Sequence, residues 1–164
     1  MNICLCNMTK PLLRQFFQGF TNDPAVFDNI SQFRPFVYSE AEADDYWKRQ
    51  KELGRIHLAI MLDNEPIGEI ILKHIDPDAH NCTLSIHLKN DSVKNCGYGT
   101  YAEILTLEYA FETLGMEIVF ADALIKNLRS RHVLEKVGFR EIRSDSRSCY
   151  YICHKDSWIR PAFG

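Results

Sequence analysis

The sequence predicts an α/β chain built on one mixed sheet with helices on its faces, and two observations carry that expectation. First, three strand-like runs, Ile56 to Leu62, Ile67 to Ile75 and Cys82 to Leu88, are separated only by Asp63-Asn64-Glu65-Pro66 and Asp76-Pro77-Asp78, the pattern of an antiparallel meander. Second, the order then changes to helix, strand, helix: Tyr98 to Leu114 closed by Gly115, Glu117 to Leu124, and Leu128 to Val137 closed by Gly138. A meander feeding a strand-helix-strand unit needs antiparallel and parallel pairing in the same sheet.

The flanking elements fit this plan. Ile3 to Met8 reads as a strand, and Thr9 is placed to cap a helix over Leu12 to Phe20 with Pro11 near its first turn. Thr21 to Tyr38 is irregular, broken by Asn22-Asp23-Pro24 and Arg34-Pro35, and suits a substrate-shaping loop. Ser39, followed by Glu40, Glu42 and Asp44, opens a polar, exposed helix that runs to about Leu53 and stops at Gly54. Phe139 to Ile142 and Arg147 to His154 form a closing hairpin around Ser144-Asp145-Ser146. No repeat, low-complexity tract or linker divides residues 1–164, so one domain is expected.

Composition narrows the function. With 46% hydrophobic and 25% charged residues in 164, the chain is long and apolar enough to bury its own core. A net charge of -3 argues against a nucleic-acid partner, whose phosphates demand excess cations. None of the six cysteines forms a C-x-x-C pair, so reduced thiols and no metal are expected, with Cys4, Cys6, Cys149 and Cys153 acting as small hydrophobes in strands. Met1 to Lys10 lacks the basic and apolar regions of a signal peptide, and no run of about 18 apolar residues occurs. A cytoplasmic protein with no membrane partner is the expectation.

The most informative stretch is Lys94-Asn95-Cys96-Gly97-Tyr98-Gly99-Thr100, which follows a strand and opens a helix. The first amides of that helix have no internal acceptors and would bind an anion. Gly97 and Gly99 let a phosphate approach the backbone, and Lys94 would add a full charge. A Walker A loop is excluded, because no Gly-Lys-Ser/Thr follows at the required spacing. Gly97 to Ala102 fits the dinucleotide pattern G-x-G-x-x-G/A, but the long connection Lys89 to Cys96 and the preceding meander do not suit a doubly wound sheet.

Lys94-x-x-Gly97-x-Gly99 resembles the R/Q-x-x-G-x-G/A acetyl-CoA loop of the GNAT N-acetyltransferases, with lysine keeping the charge but losing the planar geometry of arginine. Asn127-Leu128-Arg129-Ser130 and the later Leu134-Glu135-Lys136-Val137-Gly138-Phe139 are similar to the N-x-x-S and LEKxGF segments of the branch containing the RimJ and RimL acetyltransferases. The resemblance is strong from about Ile56 to Phe139 and weak before Arg55, where this family builds its acceptor site. It implies the GNAT fold, a mostly antiparallel sheet of six to seven strands flanked by about four helices, and often a homodimer. It also implies direct attack of a primary amine, on a small molecule or a peptide N-terminus, upon acetyl-CoA.

What the resemblance implies for individual residues follows the motif. The strand before the loop, Ile86, Leu88 and Lys89 included, would hold the pantetheine arm and the thioester carbonyl. Lys94, Asn95, Cys96, Gly97, Tyr98, Gly99 and Thr100 would cradle the pyrophosphate. Asn127 matches a pantetheine ligand, and equally a helix N-cap. The tyrosine that many members use to protonate the leaving thiolate is here Leu134, which leaves Ser130, one turn earlier on the same helix face, either as the acid or as an ordinary first-turn serine. Thr83 stands where some relatives carry a glutamate base. The base is then His87, Glu69 or Asp122, the two carboxyls raised toward neutrality by burial in apolar strands, or else a water relay with no single base. Glu103 reads as structural, Trp47, Phe33, Phe36 and Tyr38 either wall the acceptor pocket or pack the N-terminal helices, and one of Tyr150 and Tyr151 would point toward substrate. A catalytically silent acyl-CoA-binding module and a dinucleotide-binding oxidoreductase are the competing readings.

Overall fold

The computed structural model describes residues 2–162. In chain order its elements are β1 (Ile3–Asn7), α1 (Lys10–Gln18), α2 (Glu40–Glu52), β2 (Ile56–Leu62), β3 (Glu65–Asp76), β4 (Asn81–Leu88), α3 (Tyr98–Glu108), β5 (Ile118–Leu124), α4 (Leu128–Val137), β6 (Arg140–Ser144) and β7 (Ser148–His154). The strands form one seven-stranded sheet in the order β1-β2-β3-β4-β5-β7-β6. Every neighbouring pair is antiparallel except β4 and β5. This is the mixed, mostly antiparallel sheet with four α-helices that the sequence predicts.

Local chemistry sets the boundaries. Thr9 Oγ1 accepts the Leu12 amide at 3.3 Å to start α1, and Ser39 Oγ accepts the Glu42 amide to start α2. Glu40 and Glu42 in the first turn of α2, with Arg49 and Lys51 in its last, oppose the helix dipole. Asp63 and Asn64 both adopt positive φ, 47° and 73°, as a two-residue type I′ hairpin requires. Pro66 falls at the register shift beside Ile60 and Met61, where a missing donor is tolerated. The sequence suggests one helix to Leu114, whereas α3 ends at Glu108 and continues as a π-helical turn over Tyr109–Thr113.

Strand alternation sorts the side chains into two layers. Leu58, Ile60, Ile70 and Ile86 pack with Ala102 of α3, and Leu72, Leu84 and Val119 pack with Leu107 of α3 and Leu134 and Val137 of α4. On the opposite face, Ala59 packs against Leu13, Phe16 and Ala43 of α1 and α2. Cys82, Cys149 and Cys153 are buried, but Cys4 and Cys6 are exposed, so the sequence expectation of small buried hydrophobes fails for these two, which lie on the edge strand β1. Among the described residues no helix is long and apolar enough to cross a membrane.

One glycine locks α4 to the end of the chain. Gly138 ends α4 at φ 113°, and a Cβ there would stand 2.8 Å from Trp158 Cδ1, while the Trp158 indole N–H donates to the Val137 carbonyl at 2.9 Å. Gly138→Ala therefore combines backbone strain with a clash. It should lower the free energy of unfolding by about 2 kcal/mol or more, read as a lower urea midpoint with an unchanged slope.

Candidate active site

The site begins with a failure of pairing. β4 and β5 are in register only at Asn81 with Ile118, Cys82 with Val119 and Thr83 with Phe120. Beyond Thr83, β4 stays bonded to β3 and β5 to β7, and the two parallel strands diverge. The opening is lined by Ile86 and His87 on β4, Ala121 to Leu124 on β5, the α4 cap Asn127 and Ser130 on α4. It runs into a cleft floored by Ile86, Leu88, Gly99 and Val133 and sharing His87, Glu103, Asn127 and Ser130. Such an apolar slot with a few polar groups suits a long flexible chain carrying amides.

The glycine loop stands at this cleft. Asn95 and Gly97 both have positive φ, 59° and 80°, and Gly97 caps α3 without any side-chain hydrogen bond. The amides of Tyr98, Gly99 and Thr100 therefore lack helical acceptors, which makes an anion nest at the positive end of a helix dipole. A Cβ on Gly99 would sit 3.4 Å from Leu88 Cδ1, so any side chain there occupies the cleft floor.

Lys94 lines the cleft and is also paired. Its Nζ lies 2.8 Å from Asp23 and 2.9 Å from Asp91, with the side chain only 9% exposed, so its charge ties the irregular loop after α1 to the glycine loop. Burial alone would raise the Asp23 carboxyl, but the Lys94 hydrogen bond and the Ala25 amide outweigh it and hold the acid below its usual range. Arg129, 3.5 Å from Asp23 and about half exposed, lines the same cleft and is the cation the sequence reading missed. Lys89 spends its backbone elsewhere, donating to Ile67 and accepting from Thr21. Cys96 is exposed, its Sγ facing the Ser92 and Lys94 carbonyls.

A second chamber, about 440 Å³, opens on the α1 and α2 face, a volume ordinary for a small-molecule site. Phe17, Phe20, Phe36 and Tyr46 wall it, Glu42, Asp45 and Arg49 supply its charge, and Glu69 and His87 close its inner end. Phe20 and His87 line both this chamber and the cleft, so the two spaces meet at the His87 ring.

Glu69 organises that junction. It faces His87 across the β3–β4 ladder and is 2% exposed. Its Oε1 receives the Tyr46 hydroxyl at 2.9 Å and His87 Nδ1 at 3.0 Å, and its Oε2 receives His57 Nε2 at 2.6 Å. Burial pushes the Glu69 acid upward, but the hydrogen bonds from His57 and His87 prevail and bring it down to about 2. This reverses the upward shift that burial alone suggests. An ionised carboxylate only accepts, so each partner donates, and with its proton on Nδ1 the neutral His87 ring presents a lone pair at Nε2. Beside the carboxylate, the Tyr46 phenol is driven above its ordinary range by burial first and by the Glu69 charge second.

Asp122 lines the β4–β5 opening with His87 and Ser130, but it is exposed, not buried as its apolar strand suggests. Asn127 caps α4, its Oδ1 accepting the Ser130 amide at 3.2 Å, which leaves Nδ2 to donate into the cleft it lines. Ser130 lines the cleft beside it, and the tyrosine position is filled by buried Leu134. Of the four aromatics, only Phe36 walls the chamber: Phe33 meets Phe27, Trp47 lies between Lys10 and Lys51, and Tyr38 belongs to the N-terminal core. Neither Tyr150 nor Tyr151 faces the cleft. Tyr150 donates to Asp145, and Tyr151 is buried with its hydroxyl accepting from Arg131. His57 and Tyr46 escaped the sequence reading, although a histidine between Ile56 and Leu58 signals a polar partner on the sheet.

Comparison with known proteins agrees with this geometry. No curated protein sequence matches the chain. Among solved structures, a proposed acetyltransferase of T. thermophilus superposes with a TM-score of 0.75 at 23% identity, over 96% of this chain and 88% of the other. A chimera of the spermidine N-acetyltransferase SpeG from Vibrio cholerae with hSSAT gives 0.76 at 13%, over 95% and 97%. AAC(6')-Ib in complex with ribostamycin and coenzyme A gives 0.75 at 17%, over 95% of both chains. These likenesses establish the fold. The family model described as the acetyltransferase (GNAT) domain matches residues 2–140. Seven strands that part between β4 and β5, a bare glycine nest at the parting and a match over most of the length together place the chain in the GNAT acetyltransferase family, and it is an acyltransferase.

Proposed function

We propose that the chain acetylates a cationic primary amine of small size, using acetyl-CoA in a ternary complex, with His87 as the base. The observation that carries this reading is the meeting of the cleft and the aromatic, carboxylate-bearing chamber at His87. Acetyl-CoA supplies an activated acetyl carbonyl and a thiolate leaving group. The residues around it have separate tasks. The Tyr98, Gly99 and Thr100 amides, with Arg129, receive the pyrophosphate, and Ile86, Leu88 and Val133 line the arm's path.

An alkylammonium must lose a proton before its nitrogen can attack. Glu69, ionised and fixed by Tyr46 and His57, holds His87 with Nδ1 protonated and Nε2 able to take that proton, the logic by which a carboxylate orients a histidine base. Ser130, at the cleft between β4 and α4, is the proton donor we assign to the departing thiolate. Glu42 and Asp45, against Arg49, favour a multiply charged cation, and four aromatic rings line the same chamber. The spermidine named for one structural neighbour and the ribostamycin bound to another are multiply aminated small molecules, which supports this class.

A screen of polyamines, aminoglycosides, amino acids and short peptides, read by CoA release, tests the function. Polyamines or aminoglycosides should react; release with none of the panel would leave a silent acyl-CoA binder. CoA should raise the melting temperature while nicotinamide nucleotides leave it unchanged.

His87→Ala should lower kcat by about 10²-fold and abolish the acid limb of the rate profile. An unchanged profile would remove His87 as base.

Glu69 also ties stability to pH. Its folded-state acid is stronger than in the unfolded chain, so its contribution is full above the unfolded value near 4.5 and is lost as pH falls toward 2. Glu69→Gln should cost on the order of 2 kcal/mol at pH 7 and flatten the loss of stability between about pH 5 and 2, measured by urea unfolding across pH.

A further inference from the structure

Glu103 is a buried acid that the mechanism above does not use. It lies one turn past the glycine nest, on the α3 face that turns toward the parting of β4 and β5, and is 2% exposed. Its Oε2 has no hydrogen-bond partner among the described residues. It nevertheless lines both the cleft and the opening between the strands, where Ile86, Asn127 and Ser130 are its companions. A carboxyl oxygen left unpaired in an apolar interior is costly, and native proteins retain such groups where a partner arrives. Burial with no compensating cation pushes its acid up to about 8, so the group is neutral at pH 7. A neutral carboxyl has one O–H donor and one carbonyl acceptor, so it can donate to an amide carbonyl or accept from an amide N–H.

We propose that the buried Glu103 carboxyl hydrogen-bonds an amide of the pantetheine arm in the β4–β5 cleft and so acts as a positioning residue for the acyl donor. This rests on reading the cleft as the CoA site. The other charged or titratable groups lining it are His87 on β4, Asp122 on β5, and Asp23, Lys94 and Arg129 at its mouth, the last three tied to one another and placed beside the nucleotide end. Glu103 thus governs affinity for ligands that carry the arm and leaves the nucleotide end to the amide nest.

Calorimetric titration of the full chain tests the assignment with two probes, CoA and 3′-phosphoadenosine 5′-diphosphate, which is CoA without its pantetheine arm. Glu103→Leu should weaken CoA about tenfold and leave the armless nucleotide within about twofold. Glu103→Gln, which keeps a donor and an acceptor, should bind CoA nearly as the parent does at pH 7. As pH rises through 8, the parent should lose CoA affinity and Glu103→Gln should not. Equal weakening of both probes, or no weakening in Glu103→Leu, would make Glu103 merely structural. If Glu103→Leu does not fold, the pH series decides, and parallel curves for the parent and Glu103→Gln would overturn the assignment. A parent that binds neither probe would instead sink the reading of the cleft.

Discussion

Everything at the site depends on two parallel strands that stop bonding. After Thr83 and Phe120 the β4 and β5 backbones face each other without a ladder, and unpaired amides and carbonyls inside a sheet are expensive unless water or a ligand meets them. β4 limits the cost by keeping its ladder to β3 as far as Leu88, and β5 by keeping its ladder to β7 as far as Leu124. Each strand is therefore open on one edge only. The sheet stays intact as a sheet while offering a slot through its middle, and α3 and α4 cover the slot on one face without filling it.

Two carboxylates inherit opposite environments from that arrangement. Glu69 projects to the α1 and α2 face, where Tyr46, His57 and His87 converge on it with hydrogen-bond donors, and it is held ionised. Glu103 projects from α3 toward the other side of the slot, where no cation meets it, and it keeps its proton at neutral pH. Environments that push two like groups' acidities apart in this way suit them to different chemical parts. The difference is not in the residue but in which layer of the sheet each faces.

That distinction explains how far the sequence was legible. Turn chemistry at Asp63-Asn64, caps at Thr9 and Ser39 and the glycine stops are local, so the element order and even the β2 limits could be read directly. The face shared by Thr83, Ser85 and His87 was also legible, because alternation is a property of one strand. What escaped was set by neighbours far along the chain. Glu69 in an apolar strand reads as a desolvated acid until His57 and Tyr46 are seen to meet it. The pairing of Lys94 with Asp23, from the irregular loop after α1, is likewise invisible in the motif. Asp122 reads as buried from its strand neighbours, but its exposure is set by the neighbouring layer, which the strand pattern does not show.

The pairing of Lys94 has a further consequence for how the cleft works. A lysine free to meet phosphate would have to give up strong hydration, whereas one clamped between Asp23 and Asp91 brings little net charge to the mouth. The α3 amides, whose partial charges are fixed by the fold, and the half-exposed Arg129 stand beside that paired lysine at the cleft. Lys94 also ties the loop that carries Thr21, Asn22 and Val26 to the wall of the cleft. In this chain the basic position of the glycine motif is tied to two carboxylates while it also lines the cleft.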